Sequence, residues 1–191
     1  MKNMPHVTLK SLCTAICLLC TVSLFAVNSV TVKSGKSSVL KTSAKASLEV
    51  DYSATTIGDQ ALDEYLQARG DDYVKNWSKD TEYAAKYFKE RFNKKNKGLK
   101  IAPDPSEAAY KIVIHVQNLN MGNSGSAFVP FASSKAGGIV MTGTVDIVDI
   151  QLNEVVCTLE VDQVKGVKHV SATVRMGLMF MELATKMCAI K

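Results

Sequence analysis

The stretch Tyr110-Lys111-Ile112-Val113-Ile114-His115-Val116-Gln117-Asn118-Leu119 decides what kind of fold this 191-residue chain adopts. Ile112, Ile114 and Val116 alternate with Val113, His115 and Gln117, so one side of an extended backbone is apolar and the other is mixed. Successive side chains of a pleated strand point to opposite faces, and this period of two predicts a strand lying on a core.

Toward the C-terminus the same period returns twice. In 139–147, Ile139, Met141, Val145 and Ile147 face inward, opposite Thr142, Thr144 and Asp146. In 155–161, Val155, Cys157, Leu159 and Val161 alternate with Val156, Thr158 and Glu160. The link at 149–154 is short and holds Asn153, which predicts a hairpin. Residues 171–188 carry charge only at Arg175, Glu182 and Lys186, one stripe of an otherwise apolar helix. Such a helix lies against a sheet, with Met176, Met179, Met181 and Met187 as gap-filling core.

Toward the N-terminus, Leu48, Val50 and Tyr52 alternate with Glu49 and Asp51, a further strand. Leu62, Tyr65 and Leu66 have helical spacing and run into Gly70. Residues 71–77 add a turn or two. Asp80 is expected to cap a longer helix over 80–94, in which Ala84, Phe88 and Phe92 form the buried stripe. Lys94, Lys95 and Lys97 then complement the dipole at its C-terminal end. The resulting expectation is α+β, a mainly antiparallel sheet of about four to five strands with helices packed on one face.

The beginning of the chain is of another kind. Residues 1–29 contain Lys2 and Lys10, no acid, and an apolar run over 12–27. That is the pattern of a secretory signal peptide, and Val27 and Ser29 suit cleavage near Ser29. The apolar run is shorter than the roughly 20 residues of a spanning helix, so no stable membrane span is expected in the mature chain. Cys17 and Cys20 lack the small preceding residue that lipid attachment requires, which argues against a lipid anchor. The expected location is therefore the periplasm or the exterior. Residues 30–46, rich in Ser, Lys, Thr and Ala, read as a mobile arm, and 47–191 as a single α+β domain.

The net charge of +5 arises at the N-terminal end, because from Asp51 onward acids and bases balance. A neutral body lacks the basic face that nucleic acid demands, and that partner is excluded. Beyond the signal, Cys157 and Cys188 remain; they are either a disulfide or two buried thiols.

The residues 107–115 (Glu-Ala-Ala-Tyr-Lys-Ile-Val-Ile-His), 129–138 (Val-Pro-Phe-Ala-Ser-Ser-Lys-Ala-Gly-Gly) and 142–149 (Thr-Gly-Thr-Val-Asp-Ile-Val-Asp) resemble a group of small exported proteins from Bacteroidales. More loosely, the strand-rich half resembles envelope domains of curli-export lipoproteins and the amino-terminal domain of TolB. The resemblance implies compartment and fold and carries over no catalytic residue. Unlike the curli-export proteins, the chain lacks a lipobox.

No catalytic residue, metal site or cofactor is expected. His115 sits on the outward face of its strand and His169 precedes the last helix, too few ligands at too wide a spacing for a metal. Asp146 and Asp149 fall on opposite faces of a strand, and Asp149 reads as a turn starter. Gly122-Asn123-Ser124-Gly125-Ser126 lacks the lysine and following helix of a phosphate loop. Asn76-Trp77-Ser78 matches a glycosylation sequon, a motif frequent by chance.

The long connection over 120–138 stands out, because hairpin loops usually take about 2–5 residues. Its apolar tip, Phe128-Val129-Pro130-Phe131, is the candidate partner-binding site; the other reading folds both rings back onto the core. The expected function is non-catalytic binding of a protein or envelope partner. The alternatives are a hydrolase with a spatially assembled site and a carrier holding a small apolar ligand between the last helix and the sheet.

Overall fold

The structure, a computed structural model, describes residues 28–122 and 137–190. Its organising strand is β6, Tyr110–Asn120, which grows from the stretch quoted above. Along one side, β6 pairs antiparallel with β7, Val140–Asp149, and β7 turns through a hairpin into β8, Glu154–Lys165. Asn153, at φ 52, occupies the left-handed turn position of that hairpin, which asparagine tolerates. Asp149 Oδ1 accepts from the backbone N–H of Gln151 and Leu152 at 3.0 and 3.1 Å, the turn-starting role expected of it.

On its other side β6 pairs in parallel with β2, Lys45–Asp51, and further along with the short β3, Thr56–Ile57. Parallel neighbours need a long crossover connection. Here it holds β4, Gln60–Ala61, then helix α1, Leu62–Ala68, helix α2, Asp71–Lys95, and strand β5, Lys100–Ile101. Strand β1, Ser29–Gly35, closes the far edge against β8, giving the order β1-β8-β7-β6-β2-β5.

The α+β class stands, but the sheet has eight strands and is mixed, not four to five antiparallel ones. The larger number has a physical origin: β3, β4 and β5 hold two residues each, too few to show any period. The parallel pairing arises because β2 reaches β6 only after the helices. The stretch 30–46, expected to be a mobile arm, instead carries β1, a 3-10 turn at Ser37–Lys41 with Val39 and Leu40 buried, and the start of β2. An edge strand needs only one apolar face and one pairing partner, and composition alone hides it. Residues 1–27, which hold most of the expected signal peptide, lie outside the described residues. Among the described residues, no helix is long and apolar enough to cross a membrane.

Helix α3, Ala172–Met187, packs along α2, and together they cover one face of the sheet. Phe88 and Phe92 of α2 and Phe180 of α3 meet Ile112, Ile114, Val145, Ile147 and Leu159 from the strands, all fully buried. Met176, Met179 and Met187 are core, filling the space assigned above to an apolar ligand. Gly177 lets the helices approach: a Cβ there would stand 3.2–3.3 Å from the rings of Tyr83 and Tyr87. Arg175, placed on the polar stripe by spacing, is buried, and Nη1 donates to the Gly137 carbonyl at 3.2 Å. The opposite face of the sheet carries Thr142, Thr144, Asp146, Thr158 and Glu160, and among the described residues no helix lies over it.

Candidate functional site

Helix α2 is continuous where a break and a cap at Asp80 were expected. Its first half presents Tyr73, Asn76, Trp77 and Asp80 at i, i+3, i+4 and i+7, one face of a helix. Gly70, at φ +93, lets the chain reverse between α1 and α2 in a conformation other residues rarely adopt. The turn brings Tyr65 of α1 beside Tyr73, and the Arg69 guanidinium lies 4.6 and 5.3 Å from their ring centroids. The N-terminal turn of α3 and Met121, just past β6, supply the remaining walls.

The result is a groove of about 410 Å³, lined by Tyr65, Leu66, Tyr73, Trp77 and Met121 with Asp72, Asn76, Lys79, Asp80 and Thr173. That volume lies in the range of small-molecule sites. Tyr52 backs the indole of Trp77 edge-on at 5.5 Å, fixing it at the floor. The Tyr52 hydroxyl is buried with no hydrogen-bond partner among the described residues, and burial drives its pKa upward. Asp80 Oδ1 accepts from Thr173 Oγ1 at 2.6 Å, which locks one carboxylate oxygen and ties α2 to α3. Tyr73 remains 48% exposed, so its ring is available to a ligand. Chemically the groove offers ring faces, one carboxamide and two carboxylates at its rim, and cations from Lys79 and Arg69.

A second polar cluster lies on the uncovered face of the sheet. His115 on β6 stands between Asp51 on β2, Nδ1 to Oδ2 at 2.9 Å, and Asp146 on β7, Nε2 to Oδ2 at 3.4 Å. Asp146 also accepts from Thr158 Oγ1 at 2.7 Å. Asp51 is held well below the ordinary carboxylate range, at about 2, first by hydrogen bonds from Ser53 and then by His115. Beside this row is a shallow polar concavity of about 360 Å³ between β1, β8, β7 and β6. The row joins strands distant in sequence, so His115 gave no sign of its partners.

Of the residues singled out from sequence, Phe128, Val129, Pro130 and Phe131 lie outside the described residues. Cys157 and Cys188 are free thiols. Burial pushes both upward, Cys188 to about 11, so neither is activated as a nucleophile. His169 Nδ1 accepts from the Ser171 N–H at 3.1 Å, a local turn contact. No group of metal-ligating side chains converges among the described residues. The groove is not reached from sequence because the turn or two expected over 71–77 stands apart from the helix expected over 80–94, whereas one helix runs over Asp71–Lys95. Extending the helical spacing through Asn76 and Asp80 would have shown one continuous aromatic and polar face.

No family model matches the chain, and no curated protein matches it. Among solved structures, a PelC dodecamer from Paraburkholderia phytofirmans is 11% identical, with a TM-score of 0.44 over 85% of this chain and 98% of that one. A second PelC dodecamer from the same organism, in another crystal form, is 12% identical with a TM-score of 0.41, over 85% and 99% of the two chains. Likeness of this degree assigns neither family nor activity.

Proposed function

We propose that this chain is a non-catalytic binding domain that works outside the cytoplasm and seats a protein or envelope partner in the groove between α1, α2 and α3. One observation carries the reading: Tyr65, Tyr73 and Trp77 converge on a single depression rimmed by Asp72, Asn76 and Asp80. Aromatic rings combine large contact area with a low cost in side-chain entropy, and they are enriched wherever proteins bind partners. The signal-like N-terminus supplies the compartment, and cleavage near Ser29 leaves β1 whole but for its first residue.

The test compares variants of the mature chain, 30–191, immobilised and exposed to an envelope extract. Tyr73→Ala and Asn76→Ala alter exposed side chains and leave the fold intact. Loss of the captured component in both variants is the expected result. Undiminished capture by both moves the binding surface away from this groove.

A further inference from the structure

We propose that the groove takes a neutral saccharide, with sugar rings lying on Tyr73 and Trp77 and hydroxyls pairing with Asp72, Asn76 and Asp80. This rests on the binding-domain reading above and gives it a ligand class.

The lining selects by elimination. A wholly apolar ligand would strip water from Asp72 and Asp80 and return no hydrogen bond, a cost that grows with burial. The charges around the groove are mixed: Asp72 and Asp80 stand with Lys79 and with the Arg69 guanidinium, which lies over the rings of Tyr65 and Tyr73. Neither an anion nor a cation therefore meets a rim of opposite charge alone. What remains is a neutral molecule with apolar faces and a hydrogen-bonding rim.

A pyranose is built that way. Its flat faces are C–H bonds, whose weakly positive hydrogens are drawn to the negative face of an aromatic ring. Its rim is hydroxyls, each both donor and acceptor. A vicinal pair can donate to the two oxygens of a carboxylate, or donate to the oxygen and accept from the nitrogen of a carboxamide. Asp80 keeps acceptor capacity for this, since an ionised carboxylate takes several hydrogen bonds and Thr173 supplies one. The spacing of Tyr73, Asn76, Trp77 and Asp80 alternates ring and polar group along one helical face, so ring contact and hydroxyl contact fall on the same sugar.

Trp77 is the only tryptophan in the chain, so its emission reports on the groove alone. The mature chain is titrated with neutral trisaccharides of glucose, mannose and N-acetylglucosamine, and separately with decanol as an apolar probe. Saturable change with at least one trisaccharide, weakened about tenfold or more by Tyr73→Ala and weakened also by Asp72→Asn, is expected of contact residues at a binding centre. Response to decanol with none to any trisaccharide overturns the saccharide proposal and leaves the groove as a binding site. Silence toward every trisaccharide and decanol overturns the saccharide proposal, while the binding-domain reading stands or falls with the capture experiment above. A saccharide response that Tyr73→Ala leaves unchanged places the sugar elsewhere and overturns the proposal.

Discussion

Two tyrosines of the groove region hold opposite positions. Tyr73 spends nearly half its surface on solvent, while Tyr52 hides its hydroxyl behind Trp77 without a partner among the described residues. A buried hydroxyl lacking a hydrogen bond has lost its water and gained nothing in return. Tyr52→Phe keeps the ring that supports Trp77 and is expected to raise stability by about 1 kcal/mol in denaturant melts. A loss of that size would mean the hydroxyl is satisfied. Across the sheet, Asp51 shows the reverse economy, a carboxylate whose ionised form is held by Ser53 and His115. Its folded pKa, about 2, lies below its ordinary value of 3.8. Its contribution is therefore fully present above the ordinary value and is lost as pH falls through about 2. Asp51→Asn should flatten the acid limb of the stability curve between these two pH values while leaving the neutral region parallel to wild type. An unchanged acid limb would assign the loss to other carboxylates.

At the scale of elements, a tight constraint sits in the middle of β7. A Cβ on Gly143 would stand 2.1 Å from the His115 carbonyl oxygen, where the β6–β7 register shifts between Val116 and Asn118. Gly143→Ala must push two strands apart and should cost about 1–3 kcal/mol, the range for overpacking; a neutral variant would show that the bulge relaxes. The long strands and the buried stripe of Ala84, Phe88 and Phe92 were legible because each repeats its period over enough residues to be unambiguous. The paired strands β2 and β6 were legible singly but not as parallel neighbours, since pairing is a property of the crossover and not of either strand. Strands of two residues have no period at all. The groove was half legible: its aromatics were visible, but their common face depended on α2 being unbroken through Ser78 and Lys79. His115, Asp51 and Asp146 could not be joined from sequence, because three separate strands bring them together.

Over the whole molecule, β1 and the 3-10 turn after it belong to the domain. Val39 is 7% exposed and Leu40 is 3%, while β1 covers the free edge of β8. Deleting 30–44 should therefore cost about 3–6 kcal/mol from those two side chains alone and leave β8 as an open edge prone to pairing between molecules. A mobile arm would be removed at no cost to the melting curve. One sheet face is buried under α2 and α3, and the groove lies where those helices meet α1. The groove's rival is the polar concavity on the uncovered face, where Thr142, Thr144 and Glu160 line the depression. One measurement separates them, the shift of backbone and indole amide resonances of the mature chain on adding a trisaccharide that binds. A saccharide in the groove moves the Trp77 indole N–H and amides from Tyr65 to Asp80 and leaves Thr142, Thr144 and Glu160 still. Movement confined to those strand residues, with Trp77 unmoved, places the ligand on the open sheet face and overturns the groove as its site.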